Sequence, residues 1–169
     1  MNSADVLADA FGRVGEAVHQ AVDGASAADL HARLDPGANT IAWLVWHLTR
    51  IQDDHVADAA GQEQLWTGEG WAERFALPFA PEETGYGHTG DQVAAVRVES
   101  PALLLGYFDA VHDRTLAYVA GLRGTALNRV VDASWSPPVT LGVRLVSVVA
   151  DALQHAGQAA FVRGCLERR

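Results

Sequence analysis

The stretch VVADALQHAGQAAFVR, residues 148–163, holds two polar side chains within a run rich in Val, Ala and Leu. Asp151 and His155 are four residues apart, so on a helix they lie on the same face, one turn from each other. The same spacing continues in both directions and gives a single polar face along an apolar helix. We call this face the polar seam; it consists of Arg144, Ser147, Asp151, His155 and Gln158.

The polar seam has two interpretations from this stretch alone. A carboxylate and an imidazole presented together can hold a divalent metal, with further ligands from elsewhere in the fold. Alternatively, the seam is the side of an amphipathic helix that faces water. The rest of the sequence is needed to choose between them.

Length and composition predict one globular domain that spans residues 1–169. Apolar residues make up 49% of the chain and charged residues 20%, which is ordinary for a soluble protein with a real core. The net charge of -9 argues against nucleic acid or an anionic membrane as a partner, and no uncharged apolar run is long enough to span a bilayer. Because the single Cys165 cannot form an internal disulfide, we expect the protein in the reducing cytoplasm.

Four long segments carry apolar residues at helical spacing, and capping residues mark their ends. The predicted helices run from Ser3 to Gly24, from Asn39 or Thr40 to Gly61, from Ser100 to Gly121 and from Thr140 to near Gly164. The connections contain weaker signals for a short helix at residues 91–96 and an extended piece at residues 129–132. With no convincing sheet, the pattern predicts an all-α four-helix bundle with a long crossover between the second and third long helices.

His47 lies in the half of the second helix that is apolar nearly all round, so we predict that its side chain points into the protein. A buried histidine is either a hydrogen-bonded core residue or a ligand. Asp54 is two turns further along, close to the same face, and is a candidate outer partner for the His47 ring. His55 is rotated further round the helix and is expected to point elsewhere.

The remaining histidines give weaker signals. His19, His31 and His112 have no evident partner in the sequence and are predicted to be surface residues without a role. Tyr86 and His88 lie in the long crossover, which is rich in Gly, Pro and aromatic residues. They are candidate pocket residues, although covering the core would explain them equally well.

Two blocks of the sequence resemble the DinB-like superfamily: NTIAWLVWHLTRIQDDHVAD, residues 39–58, and PPVTLGVRLVSVVADALQHAGQAAFVRG, residues 137–164. The resemblance is closest to an actinobacterial branch near mycothiol-dependent maleylpyruvate isomerase. It implies a four-helix bundle, often dimeric, in which three inward side chains bind a divalent metal. His47 and His155 match two of the metal-binding positions, and His155 is followed by x-Gly-Gln as in the family. Asp151 stands at the third position, where many relatives have His or Glu.

The resemblance therefore implies a metal site made by His47, Asp151 and His155, with Zn as the first choice and Ni or Mn as alternatives. Asp is one methylene shorter than Glu but remains a hard oxygen ligand for these ions. Three protein ligands leave a position open for water or a substrate thiol. The implied cosubstrate is mycothiol or a similar small thiol, whose metal-bound thiolate would attack an electrophile.

Three functions are considered. The first is a metal-dependent thiol S-transferase or isomerase, and the second is a non-catalytic helical bundle that binds a small ligand or a protein partner. The third is a histidine phosphotransfer bundle, but the sequence has no Lys and places His47 in an apolar helix, which argues against it. Because apolar residues occur on more than one helix face, we also expect a homodimer.

Arg144 lies on the polar seam seven residues before Asp151, which is about 10 Å along a helix. An Arg at this position either reaches solvent or an acidic side chain, or stands at the mouth of a pocket above the metal. In the second case its guanidinium could bind a carboxylate of the thiol or of the acceptor. Arg144 is therefore a candidate substrate-binding residue, with a surface salt bridge as the alternative.

Overall fold

The computed structural model describes residues 2–168; Met1 and Arg169, the ends of the predicted domain, lie outside the described residues. The helices in chain order are α1 (Ser3–Val22), α2 (Ala27–His31), α3 (Ile41–Ala60), α4 (Leu65–Gly68), α5 (Trp71–Phe75), α6 (Gly90–Ala95), α7 (Pro101–Ala120) and α8 (Leu141–Leu166). The four long helices, α1, α3, α7 and α8, form a bundle, and three short helices lie in the crossover from α3 to α7. The predicted all-α four-helix bundle with a long crossover is confirmed.

Helix ends fall close to the predicted positions because capping side chains fix them. Thr40 and Thr140 each accept a hydrogen bond from a backbone N–H in the first turn of α3 and α8, and Gly61 ends α3 with φ of 65°. At α1 the prediction of Ser3 as the cap is wrong. Asn2 accepts the capping hydrogen bond there, and Ser3 is the first helical residue.

Helices α8 and α7 each pack against both α1 and α3. The core is aliphatic and aromatic, and its largest fully buried apolar side chains include Phe11, Trp46, Tyr107, Phe108 and Leu145. Removal of this apolar surface from water is the main force that holds the helices together. No helix within residues 2–168 is long and apolar enough to cross a membrane.

The second half of α3 also buries polar side chains, and these attach the crossover to the bundle. Arg50 and Asp53 have no exposed surface. The Asp53 carboxylate accepts hydrogen bonds from the backbone N–H groups of Leu65 and Trp66, at the start of α4. Arg114 of α7 pairs with the same carboxylate at 2.6 Å. A buried charge of this kind is tolerated because it is paired and hydrogen-bonded.

A 3₁₀ turn (Ala126–Asn128) and a two-stranded antiparallel hairpin connect α7 to α8. Strand β1 (Val130–Asp132) pairs with β2 (Val139–Thr140), with an irregularity in register between the two pairs. The extended piece predicted at residues 129–132 is therefore a strand, whereas the sequence predicts no sheet. The hairpin leads directly into the α8 cap and places Asp132 beside the first turns of α8.

The histidines predicted to be surface residues all have neighbours in the fold. His112 is the clearest error: its ring stacks on Phe108 with centroids 5.2 Å apart and is part-buried between α7 and α1. It fits because Gly15 has no side chain; a Cβ there would lie 3.1 Å from the ring. His31 accepts a backbone hydrogen bond at 3.0 Å, and His19 is ion-paired.

Candidate metal centre

Three side chains from two helices converge inside the bundle. Helix α3 provides His47, and α8 provides Asp151 and His155. One potential ligand atom of each residue lies within 4.8 Å of those of the other two. The two imidazole rings are edge-to-face with centroids 4.7 Å apart, and His47 is only 6% exposed. The structure thus brings together the three residues that the sequence singles out, and His47 points inward as predicted.

The orientation of the His47 ring is fixed by the backbone of the crossover. Its Nδ1 lies 2.6 Å from the carbonyl oxygen of Thr84. A carbonyl can only accept, so Nδ1 carries the proton and Nε2 keeps a free lone pair. Trp43, one turn earlier, stacks on the ring at 4.7 Å with an interplanar angle of 12°. The ring is therefore held in the tautomer that leaves Nε2 available to a metal.

His155 is oriented in the same manner by its own helix. Its Nδ1 donates to the backbone carbonyl of Asp151 at 2.8 Å, which leaves Nε2 free. The Asp151 carboxylate oxygen Oδ2 lies 3.4 Å from the same nitrogen, which is an ion-pair contact. Both imidazoles thus donate a hydrogen bond from Nδ1 to a backbone carbonyl and leave Nε2 unbonded, as metal-binding histidines do.

Asp151 provides the test of whether these residues fit a metal. Its side chain is 34% exposed, yet Oδ2 is buried and accepts no hydrogen bond within residues 2–168. A buried carboxylate oxygen without a donor is costly, and a bound cation removes that cost. Two ligands of a tetrahedral zinc ion lie about 3.4 Å apart, so ligand atoms within 4.8 Å of one another need to close by no more than about 1.4 Å. The residues present fit a divalent metal.

The pKa shifts at the site differ among the three residues. Burial lowers the pKa of His47, which keeps that ring neutral. The close contact with the Asp151 carboxylate raises the pKa of His155. Burial alone would raise the pKa of Asp151, but its contact with His155, together with the nearby His47 and His55, lowers it overall. The carboxylate is therefore ionised and available to a cation at neutral pH.

Gly85 allows the crossover to approach the site. Its φ is +96°, a conformation that side chains rarely adopt. A Cβ at this position would lie 2.8 Å from His47 Nδ1 and 3.0 Å from the Trp46 ring. The backbone of residues 84–85 thus packs directly on the His47 imidazole, and only glycine fits there.

The predicted outer partner of His47 is wrong. Asp54 instead accepts a hydrogen bond from Gln64 at 2.7 Å and lies 3.7 Å from His55. Seven residues separate Asp54 from His47, or about 10 Å along the helix, so its carboxylate is too far along α3 to reach the ring. The carbonyl of Thr84 takes that place, and the sequence carries no signal for it because every residue has a carbonyl.

The two candidate pocket residues of the crossover have different positions. Tyr86 is 91% exposed. His88 is buried behind Trp43, whose indole Nε1 donates to His88 Nδ1 at 3.2 Å, and the Nε2 of His88 donates to Glu83 at 3.0 Å. His88 thus supports the Trp43 ring that stacks on His47 and is not one of the three converging residues.

A groove begins next to the three converging residues. It has a volume of about 460 Å³ and is lined by His55, Asp132, Trp135, Val139, Val143, Arg144 and Ser147. Ser147 precedes Asp151 by one helical turn, so the groove adjoins the site. Arg144 contacts His55 Nδ1 at 2.6 Å and Asp132 at 3.2 Å, so its guanidinium is partnered on both sides.

A four-helix bundle with two histidines and a carboxylate converging between α3 and α8 defines a class of helical proteins with a candidate metal site. A sequence profile of the DinB superfamily matches residues 10–159, and the chain belongs to this superfamily. Its fold is also similar to the crystal structure of the conserved protein of locus from Enterococcus faecalis, with 31% identity, 96% of each chain covered and a TM-score of 0.90. No curated protein matches the chain.

Proposed function

We propose that this protein is a metal-dependent S-transferase or isomerase that uses a small thiol. The observation that carries the proposal is the buried Oδ2 of Asp151, which lacks a hydrogen-bond donor within the described chain and lies beside two imidazoles with free Nε2 atoms. This arrangement suits a cation bound by three protein ligands. Zn is the ion we propose first, with Ni or Mn as alternatives.

A bound divalent ion would supply an open coordination position and would favour the ionised form of a thiol near neutral pH. The chain's own residues do the positioning. The Thr84 and Asp151 carbonyls hold the protons of the two rings away from the centre, and the Asp151 carboxylate offsets the charge of a cation. His47 is excluded from water by burial, which strengthens these electrostatic interactions.

The reacting thiol comes from outside the chain in this proposal. Cys165, the free cysteine of the protein, is ten residues after His155 on α8, or about 15 Å along the helix. A small cytoplasmic thiol is therefore the proposed cosubstrate. We propose mycothiol, and kinship with the actinobacterial branch near maleylpyruvate isomerase, from the resemblance of the two sequence blocks that contain His47 and His155.

The groove beside the site is the proposed place for the electrophilic partner. Trp135 and Val143 give it an apolar wall, with 67% and 57% of their surfaces exposed. Arg144 lies at its inner side, 15% exposed, and is the proposed contact for a carboxylate on the thiol or the acceptor. Its pairing with Asp132 means that a ligand would have to compete with that carboxylate.

Metal binding followed by thiol binding tests the proposal. The metal-free protein is titrated with Zn²⁺ and separately with Co²⁺, and mycothiol is then added to the Co²⁺ form. We expect one ion per chain and a thiolate-to-cobalt absorption band on adding thiol. Asp151→Asn should lose binding of both ions, while Asp54→Asn, an aspartate outside the site, should retain it.

Failure to bind metal and failure to bind thiol lead to different conclusions. A wild-type protein that binds neither ion ends the metal proposal. A protein that binds Co²⁺ but gives no thiolate band ends the thiol proposal and leaves the site without a thiol substrate. A positive band would then be followed by thiol consumption in the presence of electrophilic acceptors.

A non-catalytic bundle with a protein partner is the second candidate, and one observation favours it. Helix α8 exposes apolar residues at steps of three and four along the side that faces away from the bundle. We call this set the apolar stripe; it consists of Val143, Val146, Ala150, Leu153, Gly157 and Phe161. A stripe of this kind is typical of a helix that packs on another helix, and we propose a second copy of the chain as that partner.

A further inference from the structure

The carbonyl that orients His47 lies in a part of the chain without regular structure. Residues 76–89, which include Thr84, are neither helix nor strand. Their local backbone hydrogen bonds include Glu83 to Ala80 and His88 to Gly85, and neither of these involves the Thr84 carbonyl. Something outside the segment must therefore hold this carbonyl against the ring.

Arg50 of α3 donates hydrogen bonds to two carbonyls within the three residues before Thr84. Its Nη2 donates to the carbonyl of Pro81 at 3.2 Å and its Nε donates to the carbonyl of Glu83 at 3.3 Å. The third nitrogen, Nη1, donates to the side chain of Gln64 at 2.7 Å. The guanidinium thus links the beginning of the crossover to its middle, and its fork geometry allows it to bond three acceptors at once.

The Arg50 side chain is completely buried, so its contacts must offset the cost of removing its charge from water. It has no exposed surface, and its guanidinium lies 5.0 Å from the centre of the Trp66 ring. Burying a guanidinium is costly, and most of that cost is offset only when its donors are satisfied. Because Arg50 follows His47 by three residues on the same helix face, one helix holds both the imidazole and the loop that orients it.

We propose that Arg50 is a positioning residue for the metal ligand His47, acting through the Thr84 carbonyl. This inference rests on the proposed metal site, since it assigns Arg50 a role toward a ligand of that site. Gly85 supports it independently, because a Cβ there would lie 2.8 Å from His47 Nδ1. The loop backbone and the ring are therefore in direct contact at two adjacent residues.

The test uses the full-length metal-free protein and its Arg50→Met and Arg50→Lys variants. Long-range imidazole ¹⁵N spectra, with the His47 signal assigned from a His47→Gln variant, report which ring nitrogen carries the proton. Wild type should show protonation at Nδ1. Both Arg50 variants should show exchange between the two tautomers, since Lys keeps the charge but cannot reach three acceptors. Zn²⁺ affinity, measured by competition with a chelator, should fall about 10- to 100-fold.

Arg114→Met is the matched control. Arg114 belongs to the same hydrogen-bond network and is part-buried, but it donates to the Glu63 carbonyl at the start of the crossover and to the Asp53 side chain on α3. It should lose thermal stability without changing the His47 tautomer or the Zn²⁺ affinity. The inference is overturned if both Arg50 variants keep a single Nδ1-protonated His47, or if Arg114→Met alters the tautomer equally. Wild-type protein that fails to bind Zn²⁺ would instead refute the metal site, because the tautomer measurement needs no metal.

Discussion

His19 makes the stability of the bundle depend on pH. Its Nε2 lies 2.8 Å from Asp109 on α7, and its Nδ1 lies 3.6 Å from Asp23. The hydrogen bond to Asp109 raises the pKa of His19, with smaller effects from both carboxylates. A pKa raised in the folded state stabilises the fold below the unfolded value of about 6.5, and that contribution is lost as pH rises through the folded pKa.

We therefore expect His19→Gln to destabilise the protein at about pH 5.5 and to have little effect at about pH 9. The side chains are 40% and 48% exposed, so the loss at acid pH should stay below about 1 kcal/mol. Urea unfolding at the two pH values measures it. An equal loss at both pH values would show that the ring contributes packing rather than charge.

A substitution can distinguish a structural role of Arg144 from a substrate-binding role. Arg144→Ala should leave Zn²⁺ affinity unchanged and weaken binding of a carboxylate-bearing thiol to the metal-loaded protein, by roughly 10-fold for one lost charge-assisted contact. Arg163→Ala is the control, because Arg163 is on the same helix but pairs with Glu167 and Asp29 away from the groove. Unchanged thiol binding would show that Arg144 serves only as the structural partner of His55 and Asp132.

At the scale of elements, the crossover determines how α3 presents His47. Gly85→Ala should lower Zn²⁺ affinity and stability together, because the added Cβ meets the imidazole and the φ of +96° is strained for alanine. Gly87→Ala is the matched control: its φ is +73°, but nothing lies within 4 Å of its Cβ. The control should cost only about 1 kcal/mol of stability and leave metal affinity intact. Equal effects of the two substitutions on affinity would exclude the direct contact.

The elements differ in how far the sequence predicts them. Local signals locate the long helices, because Thr40 and Thr140 bond to their own first turns. The polar seam predicts Asp151 and His155 because helical spacing alone puts them together. Such local signals do not predict the support of His47, because the hydrogen bonds of the Thr84 carbonyl and of the Arg50 Nε join residues more than thirty apart in the sequence. Helical periodicity therefore predicts the proposed ligands Asp151 and His155, but it does not predict the contacts that orient His47.

At the scale of the whole molecule, the apolar stripe predicts self-association. Val146 and Phe161 are 61% and 65% exposed on α8, although both are large and apolar. Glutamate at either position would put a charge into a helix–helix contact, so Val146→Glu and Phe161→Glu should each convert a dimer to a monomer. Light scattering at micromolar concentration measures this. Val130→Glu, at a 50% exposed valine of the hairpin, should remain dimeric.

A monomeric wild-type protein at that concentration would contradict the predicted homodimer. It would also leave the apolar stripe as exposed surface on a monomer. If all three variants became monomeric, the contact would extend beyond α8 to the hairpin.

Because α3 and α8 are far apart in the sequence, the three converging residues are synthesised at different times. His47 leaves the ribosome about a hundred residues before Asp151 and His155, with the crossover, α7 and the hairpin in between. At roughly 5–20 residues per second, this is a delay of about 5–20 seconds. During that interval Asp151 and His155 have not yet been made, so a nascent chain cannot form the proposed metal site. On the proposed function, metal binding would therefore follow the docking of α8 on α3, and a chain that has bound metal would be one that has completed the bundle.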